Sequence, residues 1–404
     1  VAWPIRGCRV DQEWRDMTTV QVVVDNHGLI EFAQRLIQLP SPSGEEAAVG
    51  SLLATEMHRV GFDKVEVDAA GNVLGYVFGE DRSLALLLNG HIDHALPGSM
   101  PDPYSGRLAD GARYGVRGQV VEGRGACDMK GAVTAMVYGA KAVLASRARL
   151  RRSFVVTGVV KEEVGLGEGT RFILEQGKVQ AEMAVSGEAT NLGVHLGHRG
   201  KLEFRIIVLG RTAHASNPKR GVNAIYKMTD FLNVLTDRYG MPSHPHLGQA
   251  SFAVLDISAS PGARTPVTPD RCELVLDRRY LPDESAQSVK RELEGVLTAL
   301  SRKDPDFRAE IALLKDMPVM YTASDERVVE LMQQARQAVL GERARPGAWL
   351  FGVDGTYLNR AGIPCVGFGP GDESYAHTPE DHVPVEHLTI AARVYAEMIL
   401  RACA

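Results

Sequence analysis

Two histidines and several carboxylates stand, in this chain of 404 residues, where apolar strand-like runs give way to loops. The first group is His91-Ile-Asp93, directly after Leu84-Ala-Leu-Leu-Leu88. On an extended segment residues i and i+2 point the same way, so the imidazole and the carboxylate can share one site. Read alone, His91 is as simply a hydrogen-bonded loop residue. The second group is Gly123-Arg-Gly-Ala-Cys-Asp128-Met-Lys-Gly131, a glycine-dense loop that opens a helix. Its glycines let the backbone approach an ion or anion, and Asp128 lies near the positive helix end, where a carboxylate is stabilised. A plain N-cap aspartate is the alternative; a phosphate loop would need a different spacing and a Ser or Thr that this loop lacks.

A third group, Lys161-Glu162-Glu163, follows the strand-like Phe154-Val-Val-Thr-Gly-Val-Val160. Adjacent carboxylates repel, and burying them calls for a compensating cation, whereas a solvated strand end would need none. Glu188 repeats the arrangement in Val185-Ser-Gly-Glu188-Ala-Thr, and His377 supplies a second imidazole in Gly369-Pro-Gly-Asp-Glu-Ser-Tyr-Ala-His377-Thr-Pro. Each residue alone has a structural explanation, but their shared location at successive strand ends points to one ion site. Two divalent cations, the carboxylates of Asp128, Glu163 and Glu188, a bridging hydroxide and two neutral histidines sum to no net charge. Mixed nitrogen and oxygen donors suit Zn2+ best, with Co2+ or Mn2+ tolerated, while an all-oxygen set would favour Mg2+ or Ca2+. The absence of a liganding cysteine fits a catalytic rather than a structural centre.

The elements that must hold these residues are legible as hydrophobic periods. Helices are expected over 29–39, 45–60 and 131–145, with a shorter one at 169–176; strands are expected over 65–67, 73–77, 84–88, 154–160 and 183–186. Strands alternating with helices indicate an α/β fold: a mixed, largely parallel sheet flanked by helices, with ligands at the carboxyl ends of its strands. Near Gly197 the texture changes to β-α-β-β-α-β, with strands over 201–209, 252–257, 272–277 and 307–313 and helices over 223–239 and 285–300, which reads as an inserted α+β, ferredoxin-like unit. The α/β pattern resumes through 323–340, Pro364–Phe368 and a final helix over 385–402. The expected division is 17–197 with 315–404 as the catalytic domain and 198–314 as the insert. Residues 1–16 show no period and precede Met17, so they are expected to be a disordered leader ahead of the true start.

Composition narrows the rest. A net charge of −5 and the brevity of the one dense basic spot, Arg147–Arg152, argue against nucleic-acid binding. Five scattered cysteines, odd in number and never spaced C-x-x-C, fit free thiols in a reducing compartment. No stretch resembles a signal peptide or a membrane span, so a cytoplasmic location and no membrane partner are expected.

The ordered motifs Gly90-His-Ile-Asp93, Gly123 to Gly131, Glu162-Glu163, Gly187-Glu188, Gly210-Arg-Thr-Ala-His214-Ala-Ser and Ala376-His377-Thr-Pro resemble the M20 family of metallopeptidases and amidohydrolases, over about Leu29 to the C-terminus. The resemblance implies a zinc-exopeptidase-like catalytic domain and an insert that acts as a lid and dimerises, giving a homodimer. It implies that Asp128 bridges two metal ions, that His91 and Glu188 complete one shell and Glu163 and His377 the other, and that Asp93 orients His91. Glu162 would be the base, taking a proton from the attacking water and returning it to the departing amine. His214 would reach the partner subunit's active site as an oxyanion donor, and Arg279 would grip a substrate carboxylate. Against these stand a loop histidine on a dimer surface and a surface strand arginine. Relatives commonly carry Asn thirteen positions before that arginine, where this chain has Pro266.

The expected reaction is hydrolysis of an amide in an N-acyl amino acid or short peptide, releasing a free amino acid. Glu at position 188 leans towards deacylases and carboxypeptidases and away from aminopeptidases. A carboxypeptidase or dipeptidase is the rival within enzymes; a catalytically silent ligand-binding relative is the rival outside them, opposed by the filled base and ligand positions.

Overall fold

In the computed structural model, residues 22–238, 240–262 and 265–404 are described. The expected leader and the start at Met17 lie outside them. The chain opens with α1 (Asn26–Ile37), α2 (Ala47–Val60), β1 (Lys64–Val67), β2 (Val73–Val77), β3 (Asp81–His91), β4 (Leu108–Asp110), β5 (Gln119–Glu122), α3 (Gly131–Ser146), β6 (Arg152–Val159), α4 (Glu168–Glu175), β7 (Ala181–Ser186) and β8 (His195–His198). Then come β9 (Gly200–Leu209), α5 (Ala224–Arg238), β10 (Ser243–His244), β11 (Gly248–Gln249), β12 (Ser251–Ser260), β13 (Arg271–Tyr280), α6 (Ala286–Lys303) and β14 (Arg308–Met317). The last part carries β15 (Met320–Tyr321), α7 (Arg327–Leu340), β16 (Gly347–Trp349), α8 (Gly355–Arg360), β17 (Cys365–Gly367), β18 (His382–Pro384) and α9 (Val385–Cys403).

The main sheet runs β1-β2-β6-β3-β7-β17-β8-β15, with β16 beside β8. Its centre, β6-β3-β7-β17, is parallel, and antiparallel pairs flank it on both sides. The wholly apolar runs lie here: β6 and the second half of β3 are buried on both faces, as strands between two helical layers must be. Helix α3 packs on α9, and the contact is close because Gly139 has no side chain; a Cβ there would stand 2.7 Å from the carbonyl of Ala392. Helix α2 stops at Gly61, whose φ of 103° is the left-handed conformation that glycine adopts at low cost.

A second sheet, β12-β13-β9-β14, is antiparallel throughout, and α5 and α6 cover one of its faces around a separate core that includes Phe204, Phe231, Leu274 and Leu293. Sheet membership switches between His198 and Gly200 and switches back between Met317 and Met320. Two further features had no forewarning in the periodicity: the three-stranded sheet β18-β5-β4 and the hairpin β10-β11, whose strands are too short to show a period. Cys127, Cys272, Cys365 and Cys403 are free and buried, and no helix among the described residues is long and apolar enough to cross a membrane.

The loops at the strand ends are tied by one buried ion pair. Arg124 Nη1 lies 3.2 Å from Asp381 Oδ2, and the same carboxylate accepts from Gly125 N at 2.8 Å and Cys127 N at 2.9 Å. Arg124 Nη2 donates to the carbonyl of Thr378 at 3.1 Å, so the segments carrying Asp128 and His377 are joined twice. Asp381→Ala would leave a buried guanidinium and two buried amides without an acceptor. A loss of about 3–5 kcal/mol is expected for a broken buried pair, measured by denaturant unfolding; a change below about 0.5 kcal/mol, as at an ordinary surface position, would reject this account.

Candidate active site and metal centre

The carboxyl ends of β3, β6 and β7 converge, and each delivers part of the cluster. His91 is the last residue of β3, and its Nε2 is 2.9 Å from Asp128 Oδ1 and 3.6 Å from Glu188 Oε1. His377, in the loop ahead of β18, places its Nε2 3.1 Å from Asp128 Oδ2 and 2.8 Å from Glu163 Oε2. The two oxygens of Asp128 thus face different imidazoles, with Glu188 on the His91 side and Glu163 on the His377 side. Ligand atoms of His91, Glu162 and Glu188, and likewise of His91, Asp128 and Glu163, lie close enough together to hold an ion.

Asp93 sits two residues beyond His91 and is fully buried. His91 Nδ1 is 3.0 Å from the Asp93 carbonyl and 3.4 Å from its carboxylate, so the backbone makes the closer contact with the ring. The carboxylate itself accepts from Glu162 N at 3.1 Å, Glu163 N at 3.0 Å and Ser43 Oγ at 2.6 Å. Asp93 therefore fixes the turn after β6 that presents Glu162 and Glu163, in addition to lying beside His91. Glu163 Oε1 is further held by Ala95 N at 2.9 Å.

Electrostatics mark the same residues. Burial raises the pKa of Glu162 well above the usual carboxylate range; His91 opposes this, while Asp354, Glu163 and Asp128 add to it. Burial also raises Glu188, with Asp128 adding to the shift. Burial works against charge on His91, yet Asp128, Asp93 and Glu188 outweigh it and push the imidazole well up. Asp128 and Glu163 raise His377 to about 10, and the two histidines hold Asp128 low against its own burial. Glu188 is only 3% exposed, and among the described residues its one ion-pair partner is His91 at 3.6 Å. Buried carboxylates crowded around two imidazoles are the donor set that divalent cations satisfy, and these residues fit a metal centre.

The cluster floors a cleft of about 440 Å³, whose walls include Lys201, Arg279 and Lys315 from the four-stranded sheet, with Met317, Phe351 and Glu373. Arg279 reaches the cleft, held by Asp277 with Nε 2.8 Å from Oδ1. His214 does not: it is exposed, bridged to Val267 and hydrogen-bonded to Ser216 Oγ at 2.7 Å, outside the cleft of its own chain. Sequence reasoning missed Lys201, Lys315, Glu373 and Asp354. Asp354 is buried against Asn89 and Thr170 and raises the pKa of Glu162; its only sequence signal is an acid between glycines in Gly352-Val-Asp-Gly355. The lysines were findable only through the strand register, which sets Lys201 opposite Arg279.

The chain is similar to the YgeY protein of Escherichia coli, 31% identical over 390 residues that cover 92% of this chain and 94% of that one. It is also similar to the acetylornithine deacetylase of Myxococcus xanthus, 26% identical over 382 residues covering 94% and 93%. Its fold matches that of aminopeptidase PepT from Bacillus cereus with a TM-score of 0.75 at 18% identity, covering 94% of this chain and 99% of that one. Residues 87–401 match the sequence profile of peptidase family M20/M25/M40, and the chain is a metal-dependent hydrolase that belongs to this family.

Proposed function

We propose that this protein hydrolyses the amide bond of an N-acyl amino acid or short peptide, releasing a free amino acid, in a site that holds two divalent ions, Zn2+ by preference with Co2+ or Mn2+ accepted. The observation that carries this reading is the division of Asp128 between two imidazoles, an arrangement that would give each of two adjacent ions one imidazole. His91 with Glu188 would hold one ion and Glu163 with His377 the other, Asp128 bridging them. When bound, the ions supply Lewis acidity towards the carbonyl and lower the pKa of water in the cleft.

The chain's own residues do the rest. Glu162 stands buried at the cleft floor with no hydrogen-bond donor to its side chain among the described residues, and the nearby acids favour its proton-holding form. It accepts a proton from the attacking water and gives it to the amine nitrogen as the carbon–nitrogen bond breaks. Asp93 keeps Glu162 and Glu163 in register with His91 through the two backbone bonds. Arg279 orients the substrate by a carboxylate. His214, exposed on its own subunit, would complete the site of a partner across a homodimer formed by the inserted unit, polarising the carbonyl there. The free buried cysteines support a reducing, cytoplasmic setting. Similarity to an acetylornithine deacetylase favours deacylation over carboxypeptidase or dipeptidase action.

Glu162→Ala is expected to keep two bound ions, counted by elemental analysis, while hydrolysis of N-acetyl amino acids falls by about 10²–10⁴-fold, the usual worth of a positioned base. An unchanged rate with two ions bound rejects the mechanism, and turnover of dipeptides alone rejects the deacylase choice.

Ion binding should also release protons. Asp128 and Glu163 raise His377 to about 10, neighbouring acids raise His91 and burial raises Glu188, so ligation by these groups displaces protons. Affinity therefore rises with pH through neutrality and weakens in acid, with protons released as the site loads at pH 7. Calorimetric titration in two buffers of different ionisation enthalpy measures this; no buffer dependence would contradict the ligand assignment.

The shared site makes a third test. His214→Ala and Glu162→Ala proteins, each inactive, should regain activity when mixed, because one hybrid site carries both intact residues. Mixtures as inactive as their components would remove His214 from the partner's site.

A further inference from the structure

The segment that presents Glu162 and Glu163 takes its shape from side chains outside it. It leaves β6 through Lys161 at φ 55° and enters α4 through Gly167 at φ 52°, and the turn between them, Glu162–Leu166, has no side-chain cap. A lysine in the left-handed region persists only where its surroundings fix it. Glu46 accepts from Lys161 N at 3.1 Å and Asp93 from the next two amides, but all three bonds fall at the start of the segment. Its two ends are joined by Asn72. Oδ1 of Asn72 accepts from Val160 N at 3.0 Å, and Nδ2 donates to the Gly169 carbonyl at 3.3 Å. Gly169 N in turn donates to the Val160 carbonyl at 3.2 Å. An N–H on one side and a carbonyl on the other leave the carboxamide a single orientation.

Register places Asn72 for this task. Strand β2 runs antiparallel to β6 with Val73 opposite Gly158, so the residue before Val73 stands where β6 ends. The turn that carries Asn72 is closed without its side chain: Asp68 N donates to the Asn72 carbonyl at 2.9 Å, and Asp68 Oδ1 accepts from Ala70 N at 2.9 Å and Asn72 N at 3.0 Å. Asp68 Oδ2 accepts from Asn72 Nδ2 at 2.9 Å and aims the carboxamide. Asn72 is fully buried, and a carboxamide there costs free energy unless each of its polar atoms is bonded. Gly169 leaves it room, since a Cβ at that position would collide with Asn72 Oδ1.

Resting on the two-ion hydrolase reading above, we propose that Asn72 is a positioning residue for hydrolysis: its carboxamide clips the ends of the segment 161–168 together, and so fixes Glu162 in the cleft and Glu163 beside His377. His91, Asp128 and Glu188 arrive on other segments. A failed clip therefore weakens the base and the ion of Glu163 and His377, and spares the ion of His91 and Glu188.

Calorimetric titration with Zn2+ and the kinetics of N-acetyl amino acid hydrolysis test this on two variants. N72D keeps the size of the side chain and the acceptor for Val160 N but offers the Gly169 carbonyl no donor. G169A pushes the segment off Asn72 from the other end, while alanine suits helix α4 better than glycine does. Both should bind one Zn2+ as the parent does and the other about 10–100-fold more weakly, and at saturating Zn2+ should lose about 10–100-fold in kcat with KM within about twofold. In an E163A background N72D should leave Zn2+ binding within about twofold, and in an E162A background it should lower the residual kcat by less than about twofold, because a residue that acts through another has nothing left to act on. V329A, a core truncation on α7, controls for lost stability and should keep both ions and kcat. Equal weakening of both ions, full additivity with E162A, or the same losses in V329A overturns the proposal and leaves Asn72 a residue of the fold alone. Parent-like ion binding and kcat in both variants overturn it too. The two readings fail separately. If the parent cleaves no N-acetyl amino acid while N72D weakens one ion alone and E163A abolishes that effect, the clip stands and the hydrolase reading falls; if the parent binds two ions and cleaves amides while N72D and G169A match it, only the clip falls.

Discussion

The carboxylate of Asp128 has an imidazole at each oxygen, His91 at 2.9 Å and His377 at 3.1 Å, and the remaining acids arrange themselves around that fact. Without cations the arrangement is costly: Glu188 and Glu162 are buried, mutually repelling and pushed towards protonation. Part of that cost is offset because the surrounding acids raise the pKa of both histidines and burial raises those of the two glutamates. Two ions would replace those protons with fixed charge, so the same crowding that strains the ion-free cluster becomes the source of affinity.

Such crowding requires that the loops bearing the acids cannot relax apart. Two carboxylates outside the proposed ligand set do this by accepting backbone amides. Asp93 takes the amides of Glu162 and Glu163, holding the end of β6 against the end of β3. Asp381 takes those of Gly125 and Cys127 and pairs with Arg124, holding the Asp128 loop against the His377 loop. A short acid aimed at two amides of one turn fixes both position and direction of that turn, which a side-chain-to-side-chain contact cannot do with the same rigidity. The ligand geometry is therefore set by backbone, and the parallel sheet supplies the origin from which those loops start.

Much of this could be read from residue order because its physical basis is local. A run such as Leu84–Leu88 announces a strand buried on both faces, and a histidine or glutamate placed immediately after it must lie at the sheet's carboxyl edge. The alternation in Lys201 to Leu209 is equally local, and the order β9-α5-β12-β13-α6-β14 follows the expected β-α-β-β-α-β. What escaped depends on pairing between distant segments. Glu122 and His382 meet through a strand pair that neither segment's own pattern indicates, Asp354 reaches Asn89 across 265 positions, and Lys315 meets the cleft only by virtue of its register with Glu203. His214 is a different case: its chain context is clear, but its position lies outside its own cleft, and one chain's sequence carries no register for a second copy.

The two sheets divide the labour in a way that follows from their packing. Strands β3, β6 and β7 are covered on both faces, so a substitution near their ends disturbs either the core or the acid cluster. The four-stranded sheet keeps its apolar side chains, Leu202, Phe204 and Ile206 among them, on the face beneath α5 and α6. Its other face carries Lys201, Glu203 and Arg205 with no core to fill. Because successive residues alternate between faces, charges there can change without altering a single core contact. The cleft thus combines a floor that tolerates almost no change with a wall that can be rewritten one charge at a time. Pro266 lies on a segment bonded to this unit, its carbonyl accepting from Ala215 N beside His214, and Lys315 lies on the sheet itself. Conserving hydrolysis while changing its substrate requires that separation, since a lysine moved onto the floor would compete with the ions for the same carboxylates.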